Sequence, residues 1–166
     1  MKIAVPKETY PLEKRVMLTP AAVKELAKEG QLLFVQSGAA RDIGISDEEY
    51  KAAGADIIAE PKELYDLAEL VIKVKTPSSS EFSFMHKDTI LFCMFHSEQN
   101  PVYIYYAGLQ ELVVVEMEKI HDSKKKRLID QTDITGEAGV YYALRHLEKM
   151  PYDAKAVVMG YGRVAS

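Results

Sequence analysis

Two short runs of residues, Leu70–Lys75 and Thr89–Phe95, constrain the fold of this chain more than any other feature. Both are dense in apolar and β-branched side chains, which is typical of strands that are covered on both faces. Four further strands are predicted at Lys2–Val5, Leu32–Gln36, Asp56–Ala59 and Leu112–Glu116. Helical segments separate the strands, so the sequence predicts an α/β fold with a mostly parallel, doubly wound, Rossmann-like sheet.

Helix-starting signals support this alternation. Thr19 can cap a helix whose first residue is Pro20, a position that proline favours. The segment Ser46-Asp-Glu-Glu49 has the spacing of a capping box. Two further helices are expected to begin at Pro61 and at Asn100-Pro101.

A glycine-rich turn, Gly160-Tyr-Gly162-Arg-Val164-Ala165, follows a short apolar run near the end of the sequence. Its Gly-x-Gly-x-x-Ala spacing is typical of a dinucleotide-binding βαβ unit, in which the glycines allow a tight turn and a close approach to a pyrophosphate. Gly160, Gly162 and Val164 are therefore candidate contacts to NAD or NADP. The acidic residue that binds a ribose is expected about 20 positions later, beyond Ser166.

These features predict how the chain is divided into domains. We expect a substrate domain over residues 1–134, a connecting helix over 135–150, and the first strand and glycine-rich turn of an NAD(P)-binding Rossmann domain over 151–166. Within this region a short strand is predicted at Arg127–Asp130 and a helix from Gly136 to Lys149. The 166 residues would then be the first part of a longer nicotinamide enzyme and inactive on their own.

Composition argues against several classes of protein. The net charge of −4 and the isoelectric point near 5.6 argue against a nucleic-acid-binding protein, which usually carries a basic face. Cys93 is the only cysteine, so neither a disulfide framework nor a thiolate metal cluster is expected. No stretch approaches the roughly 20 apolar residues of a membrane-spanning helix. We therefore expect a cytoplasmic protein with no metal and no membrane or nucleic-acid partner.

Three polar residues are candidates for chemistry. Lys75 and His96 each end an apolar run, and Arg15 lies in the loop after the first strand. Open parallel sheets bind ligands beyond the carboxyl ends of their strands. Arginine can clamp a carboxylate, lysine can polarise a carbonyl or imine, and histidine exchanges a proton near neutral pH. Each residue alone is explained as well by solvation or a structural hydrogen bond, but together they predict a site for a 2-oxo acid.

Several stretches resemble the alanine dehydrogenase / pyridine nucleotide transhydrogenase family. They are Met1–Glu8, Arg15–Pro20, Ser46–Ala55, Val71–Pro77 and the strand ending at His96, together with the glycine-rich turn. The resemblance implies a two-domain subunit, expected to form a homo-oligomer, in which a substrate domain precedes an NAD domain. It further implies that Arg15 and Lys75 hold pyruvate and that His96 transfers a proton. Thr135 is the candidate hydroxyl near the cofactor phosphates, with a helix cap as the alternative explanation.

The resemblance leaves the substrate open. The leading expectation is an NAD(P)-dependent alanine dehydrogenase, which interconverts L-alanine with pyruvate and ammonia. However, Ser97–Asn100 and Arg127–Gly139 are closer to N5-(carboxyethyl)ornithine synthase and saccharopine dehydrogenase, which join an amino acid to a 2-oxo acid. The polar turn Ser97–Asn100 is then expected to border the space for a larger amine. A third alternative is a transhydrogenase-like NAD-binding subunit, against which Arg15 and His96 count.

Overall fold

The structure is a computed structural model that describes residues 1–130, 132–160 and 164. These residues fall into two compact units, Met1–Ile120 and His121–Ser166. The predicted boundary near residue 134 concerns the domains of a longer chain, and it stays a prediction.

The first unit contains a six-stranded sheet in which all neighbouring strands are parallel. In chain order the strands are β1 (Lys2–Val5), β2 (Leu32–Gln36), β3 (Ala55–Ile58), β4 (Leu70–Lys75), β5 (Ile90–Met94) and β6 (Val113–Glu116). Their spatial order is β3-β2-β1-β4-β5-β6. The direction of winding reverses between β1 and β4, and this switch point is where doubly wound sheets bind ligands. The predicted α/β, Rossmann-like fold is confirmed.

Five α-helices connect these strands: α1 (Pro20–Lys28), α2 (Asp47–Ala52), α3 (Pro61–Leu67), α4 (Ser79–Phe82) and α5 (Pro101–Leu109). Two of the predicted starts carry their caps. The Thr19 hydroxyl accepts from the N–H of Ala22, and Ser46 and Glu49 form the reciprocal capping box of α2. Helix α4 was not predicted, although the spacing of Ser78 and Glu81 is itself a capping box, and the structure forms it.

The hydrophobic core on β1 and β2 also fixes the loop after β1. Val5, Val23 and Val35 are fully buried there, and Val16, Met17 and Leu18 pack against the same cluster. The Tyr50 hydroxyl donates to the Leu18 carbonyl at 2.7 Å, and burial raises the pKa of Tyr50 to about 12. Core packing therefore holds the far end of the loop that carries Arg15.

Strand β4 contains an irregularity just before its end. Ile72 pairs with Phe92 and Lys75 pairs with Met94, so three steps along β4 match two steps along β5. Such bulges redirect side chains and are common beside active sites. The irregularity places Lys73 and Val74 between the regular part of the sheet and its carboxyl edge.

The second unit differs from the prediction in three places. Helix α6 spans Thr132–His146, so it begins before the predicted Gly136 and ends before Lys149; Glu148 has a positive φ of 53°, which is incompatible with a continuing helix. The strand predicted at Arg127–Asp130 is wrong, because a single bridge between His121 and Arg127 is formed there. A 3-10 helix covers Pro151–Asp153, and residues 154–160 form no strand within the described part of the chain.

Candidate active site

Lys75 is the last residue of β4, and His96 follows shortly after the end of the neighbouring strand β5. Lys75 pairs with Met94 in the ladder between them. The Thr76 hydroxyl donates to the Met94 carbonyl at 3.0 Å and so ties the segment after β4 to the one after β5. Both predicted residues therefore lie at the same edge of the sheet, next to the switch point between β1 and β4.

The loop after β1 is bound directly to the end of β4. The Glu8 carboxylate accepts from the backbone N–H groups of Val74 at 2.6 Å and of Lys75 at 3.3 Å. The Tyr10 ring lies with its centroid 5.5 Å from the Lys75 ammonium nitrogen, within cation–π range. Burial raises the pKa of Glu8 although the nearby Lys73 ammonium opposes this shift. The loop that carries Arg15 thus lies at the same edge as Lys75.

Arg15 forms a bidentate ion pair with Glu13. Its Nε donates to Glu13 Oε1 at 2.7 Å and its Nη2 donates to Glu13 Oε2 at 2.5 Å, while 48% of the Arg15 side chain stays exposed. This hydrogen bonding raises the pKa of Arg15 and lowers that of Glu13, to which Lys75 also contributes. The arrangement shows that this guanidinium can hold a planar carboxylate by two hydrogen bonds.

Glu118 holds His96 in an uncommon backbone conformation. The φ of His96 is +51°, in the left-handed region that non-glycine residues seldom adopt. The buried Glu118 carboxylate accepts from the N–H groups of both Phe95 and His96, and its Oε1 lies 3.4 Å from His96 Nδ1. A carboxylate at Nδ1 orients an imidazole and leaves Nε2 for a ligand.

A buried ion pair lies behind these groups. The Lys73 side chain is fully buried, and its ammonium nitrogen lies 2.7 Å from Glu81 Oε1 and 3.8 Å from Glu8 Oε2. Burial opposes ionisation of Glu81, but the Lys73 ammonium and the hydrogen bonds that Glu81 accepts lower its pKa to about 2. The signal in the sequence was a lysine within an apolar run, since buried lysines need a charged partner; nothing in the sequence identified that partner.

Two surface clefts adjoin this edge of the sheet. One, of about 380 Å³, is lined by Tyr10 and Thr76 together with Tyr103 and Tyr106 of α5, and so borders the surroundings of Lys75. Ser97 lines the other cleft, of about 360 Å³, beside β6, and its hydroxyl donates to Glu116 at 2.8 Å. The room near Lys75 is therefore bordered by tyrosines, while Ser97 of the polar turn is tied to β6.

The second unit brings together part of the predicted cofactor contacts. Gly160 has a φ of +112°, a conformation that glycine adopts readily. The Val164 carbonyl lies so close to Gly136 in α6 that a Cβ at Gly136 would overlap it. Thr135, next to Gly136, is exposed in the first turns of α6 and is not its cap, because the helix already begins at Thr132. Gly162 lies outside the described residues.

The described residues lack two other kinds of feature. They contain no group of three or more histidine, cysteine, aspartate or glutamate side chains that could hold a metal ion. None of the helices among them has both the length and the apolar composition needed to cross a membrane.

The curated proteins that resemble this chain include alanine dehydrogenases. An alanine dehydrogenase from Methanococcus maripaludis is 35% identical over 162 residues, which cover 96% of this chain and 43% of that protein. An alanine dehydrogenase from Bacillus subtilis is 32% identical over 160 residues, which cover 96% of this chain and 42% of that protein. The chain thus spans less than half the length of these relatives.

Solved structures resemble the chain over the same extent. An L-alanine dehydrogenase superposes with a TM-score of 0.82 at 30% identity. The matched region covers 89% of this chain and 41% of the L-alanine dehydrogenase chain. A transhydrogenase from Sinorhizobium meliloti superposes with a TM-score of 0.77 at 25% identity. The matched region covers 87% of this chain and 44% of the transhydrogenase chain. The profile of the family described as "Alanine dehydrogenase/PNT, N-terminal domain" matches residues 4–132. The chain therefore belongs to the N-terminal domain family of the alanine dehydrogenases and pyridine nucleotide transhydrogenases.

Proposed function

We propose that this chain is the substrate-binding part of an NAD(P)-dependent amino-acid dehydrogenase that interconverts L-alanine with pyruvate and ammonia. The supporting observation is the placement of Arg15, Lys75 and His96 at one edge of the sheet, beside its switch point. Relatives named alanine dehydrogenase, at 35% and 32% identity, support the choice of substrate. Assembly into a homo-oligomer and the division into two Rossmann domains remain predictions.

Each of the three side chains has a separate role in this proposal. Arg15 binds the carboxylate of pyruvate or alanine with the same two donors that now bind Glu13. Lys75 donates to the carbonyl oxygen of pyruvate and stabilises the negative charge that develops there. His96 gives and takes the proton as the amine nitrogen is exchanged for oxygen, with the Glu118 carboxylate 3.4 Å from its Nδ1. The Arg15 and Lys75 cations favour an anionic substrate.

The residues of the second unit fit a nicotinamide dinucleotide. Gly160, at φ +112°, and Val164, beside the amino-terminal turns of α6, supply the backbone that would cradle a pyrophosphate, together with Gly162 from the sequence pattern. Thr135 would add a hydroxyl at the same place. When bound, NAD or NADP supplies the hydride acceptor for the carbon that carries the amine.

A spectrophotometric screen of the full-length enzyme tests the proposal. Pyruvate and NADH, and in parallel NADPH, are offered with ammonia, ornithine or lysine, and the loss of reduced cofactor is followed by its absorbance. We expect turnover with ammonia. Absence of turnover with every amine would contradict the proposal.

The tyrosine-lined cleft favours a second candidate function, an opine-type reductive condensation. The cleft beside Tyr10 and Thr76 has a volume of about 380 Å³, which could accommodate an amino acid in place of ammonia. Turnover with ornithine or lysine in place of ammonia would select this alternative. Arg15, Lys75 and His96 would keep the same roles in both reactions.

A further inference from the structure

The carboxylate of Glu81 is the centre of a buried hydrogen-bonded cluster. It accepts hydrogen bonds from five donors in different parts of the first unit. These are the Lys73 ammonium at 2.7 Å, the Tyr65 hydroxyl at 2.7 Å, the Thr9 hydroxyl at 2.6 Å, and the N–H and hydroxyl of Ser78, both at 2.8 Å. Because Glu81 is charged, each of these bonds is stronger than one between neutral groups.

Two of the donating hydroxyls come from different parts of the chain and bind different oxygens of the Glu81 carboxylate. Tyr65 belongs to α3 and is fully buried. Thr9 belongs to the loop after β1, immediately before Tyr10, whose ring lies beside the Lys75 ammonium. The Lys73 ammonium adds a weaker link to this loop, because it donates to the Lys7 carbonyl at 3.4 Å. The cluster therefore joins the segment that leads to Arg15 to the inside of β4.

We propose that Thr9, held by the buried Glu81–Lys73 pair, is a positioning residue that places Tyr10 and the Arg15 loop for substrate binding. The inference rests on the proposed function, since it assigns the cluster to the same site. Glu8 contacts Val74 and Tyr50 contacts Leu18 near the two ends of this loop, and the Thr9 hydroxyl adds a side-chain hydrogen bond to the interior directly beside Tyr10. A loop without the Thr9 link would present Arg15 over a wider range of positions, and binding would weaken.

Two hydroxyl-removing substitutions in the full-length enzyme form a matched pair. Thr9→Val and Tyr65→Phe each keep the shape of the side chain and remove one hydrogen bond to the same carboxylate. We expect Thr9→Val to raise the KM for the 2-oxo acid about tenfold, in line with the loss of one hydrogen bond to a charged group, with kcat nearly unchanged. Tyr65→Phe should lower stability, because Tyr65 is fully buried, and leave KM unchanged. Substituting Lys73 or Glu81 is less informative, because it leaves a buried charge without its partner.

A double variant and a measurement without turnover complete the test. In an Arg15→Ala background, Thr9→Val should add no further rise in KM, since it acts through Arg15. Amide hydrogen exchange of the full-length protein over residues 10–17 should become faster in Thr9→Val and stay unchanged in Tyr65→Phe. Equal effects of both substitutions on KM, or unaltered exchange in Thr9→Val, would overturn the inference. If the enzyme does not act on pyruvate, the proposed function fails while the exchange data still decide the role of Thr9.

Discussion

Lys73 and Lys75 lie two residues apart on β4, yet their side chains meet opposite environments. Lys73 is fully buried and its charge is balanced by Glu81, whereas Lys75 is partly exposed beside the ring of Tyr10. The bulge between Ile72 and Lys75 separates the two. One strand thus supplies both a buried cation, paired with Glu81, and a partly exposed cation at the edge of the sheet.

At the scale of single residues, substitutions of His96 and Arg15 should change different kinetic parameters. In the full-length enzyme, His96→Ala should lower kcat about a hundredfold or more, the scale of losing a general acid–base group. Arg15→Ala should mainly raise the KM for the 2-oxo acid, because carboxylate binding is used in both ground and transition states. Steady-state kinetics with pyruvate as the varied substrate distinguish the two outcomes. An unchanged kcat in His96→Ala would mean that His96 is only structural.

The sequence was informative about these cations and uninformative about their carboxylate partners. Lys75 and His96 could be selected because each ends an apolar run that predicts a buried strand, and Arg15 because it lies in the loop after the first strand. Glu8 and Glu118 could not, because they lie 66 and 22 residues from the backbone groups they bind. Contacts over such separations follow from the order of strands in the sheet, which a single sequence does not fix.

At the scale of elements, helix α2 depends on its capping box. Ser46 accepts from the N–H of Glu49 at 3.3 Å, and Glu49 accepts from the N–H of Ser46 at 2.8 Å. We expect Ser46→Ala to lower the free energy of unfolding by about 1 kcal/mol, the usual cost of losing such a cap. Urea unfolding measures this, with Ser123→Ala, in an exposed turn, as the control. Equal stability of the two variants would show that the cap contributes nothing.

The elements of the first unit were predictable because local signals agree with their packing. Strand β2 and strand β4 occur at the predicted bounds, since each is an apolar run that becomes buried. The errors are concentrated where local signals lack tertiary support. Arg127–Asp130 carries a strand-like pattern but pairs through one bridge only, and α6 begins earlier than the position chosen at Gly136. The bulge in β4 has no local signature, because it depends on the register with β5.

At the scale of the whole molecule, Glu81 should make stability depend on acidity. Its folded pKa of about 2 lies below the ordinary 4.5, so the ionised form stabilises the fold. This contribution is present above pH 4.5 and is lost as the pH falls towards 2. The contribution of Glu8 to the pH dependence of stability has the opposite sign, because burial raises its pKa and folding disfavours its ionised form.

Urea midpoints at pH 6, 4 and 3 test this expectation. The wild-type midpoint should fall across the series, and Glu81→Gln should start lower and fall less. Glu111→Gln, which removes an exposed carboxylate paired with Lys87, serves as the control and should follow the wild type. Parallel curves for wild type and Glu81→Gln would refute the assignment to Glu81.

The ion pair between Arg15 and Glu13 has a consequence for how a ligand enters. Glu13 presents to the guanidinium the same planar pair of oxygens that a small acid would bring. An acid that binds the Nε and Nη2 donors of Arg15 would have to displace the Glu13 carboxylate, so binding there would exchange one carboxylate for another. In the structure the Arg15 guanidinium is thus already paired with a carboxylate of its own chain.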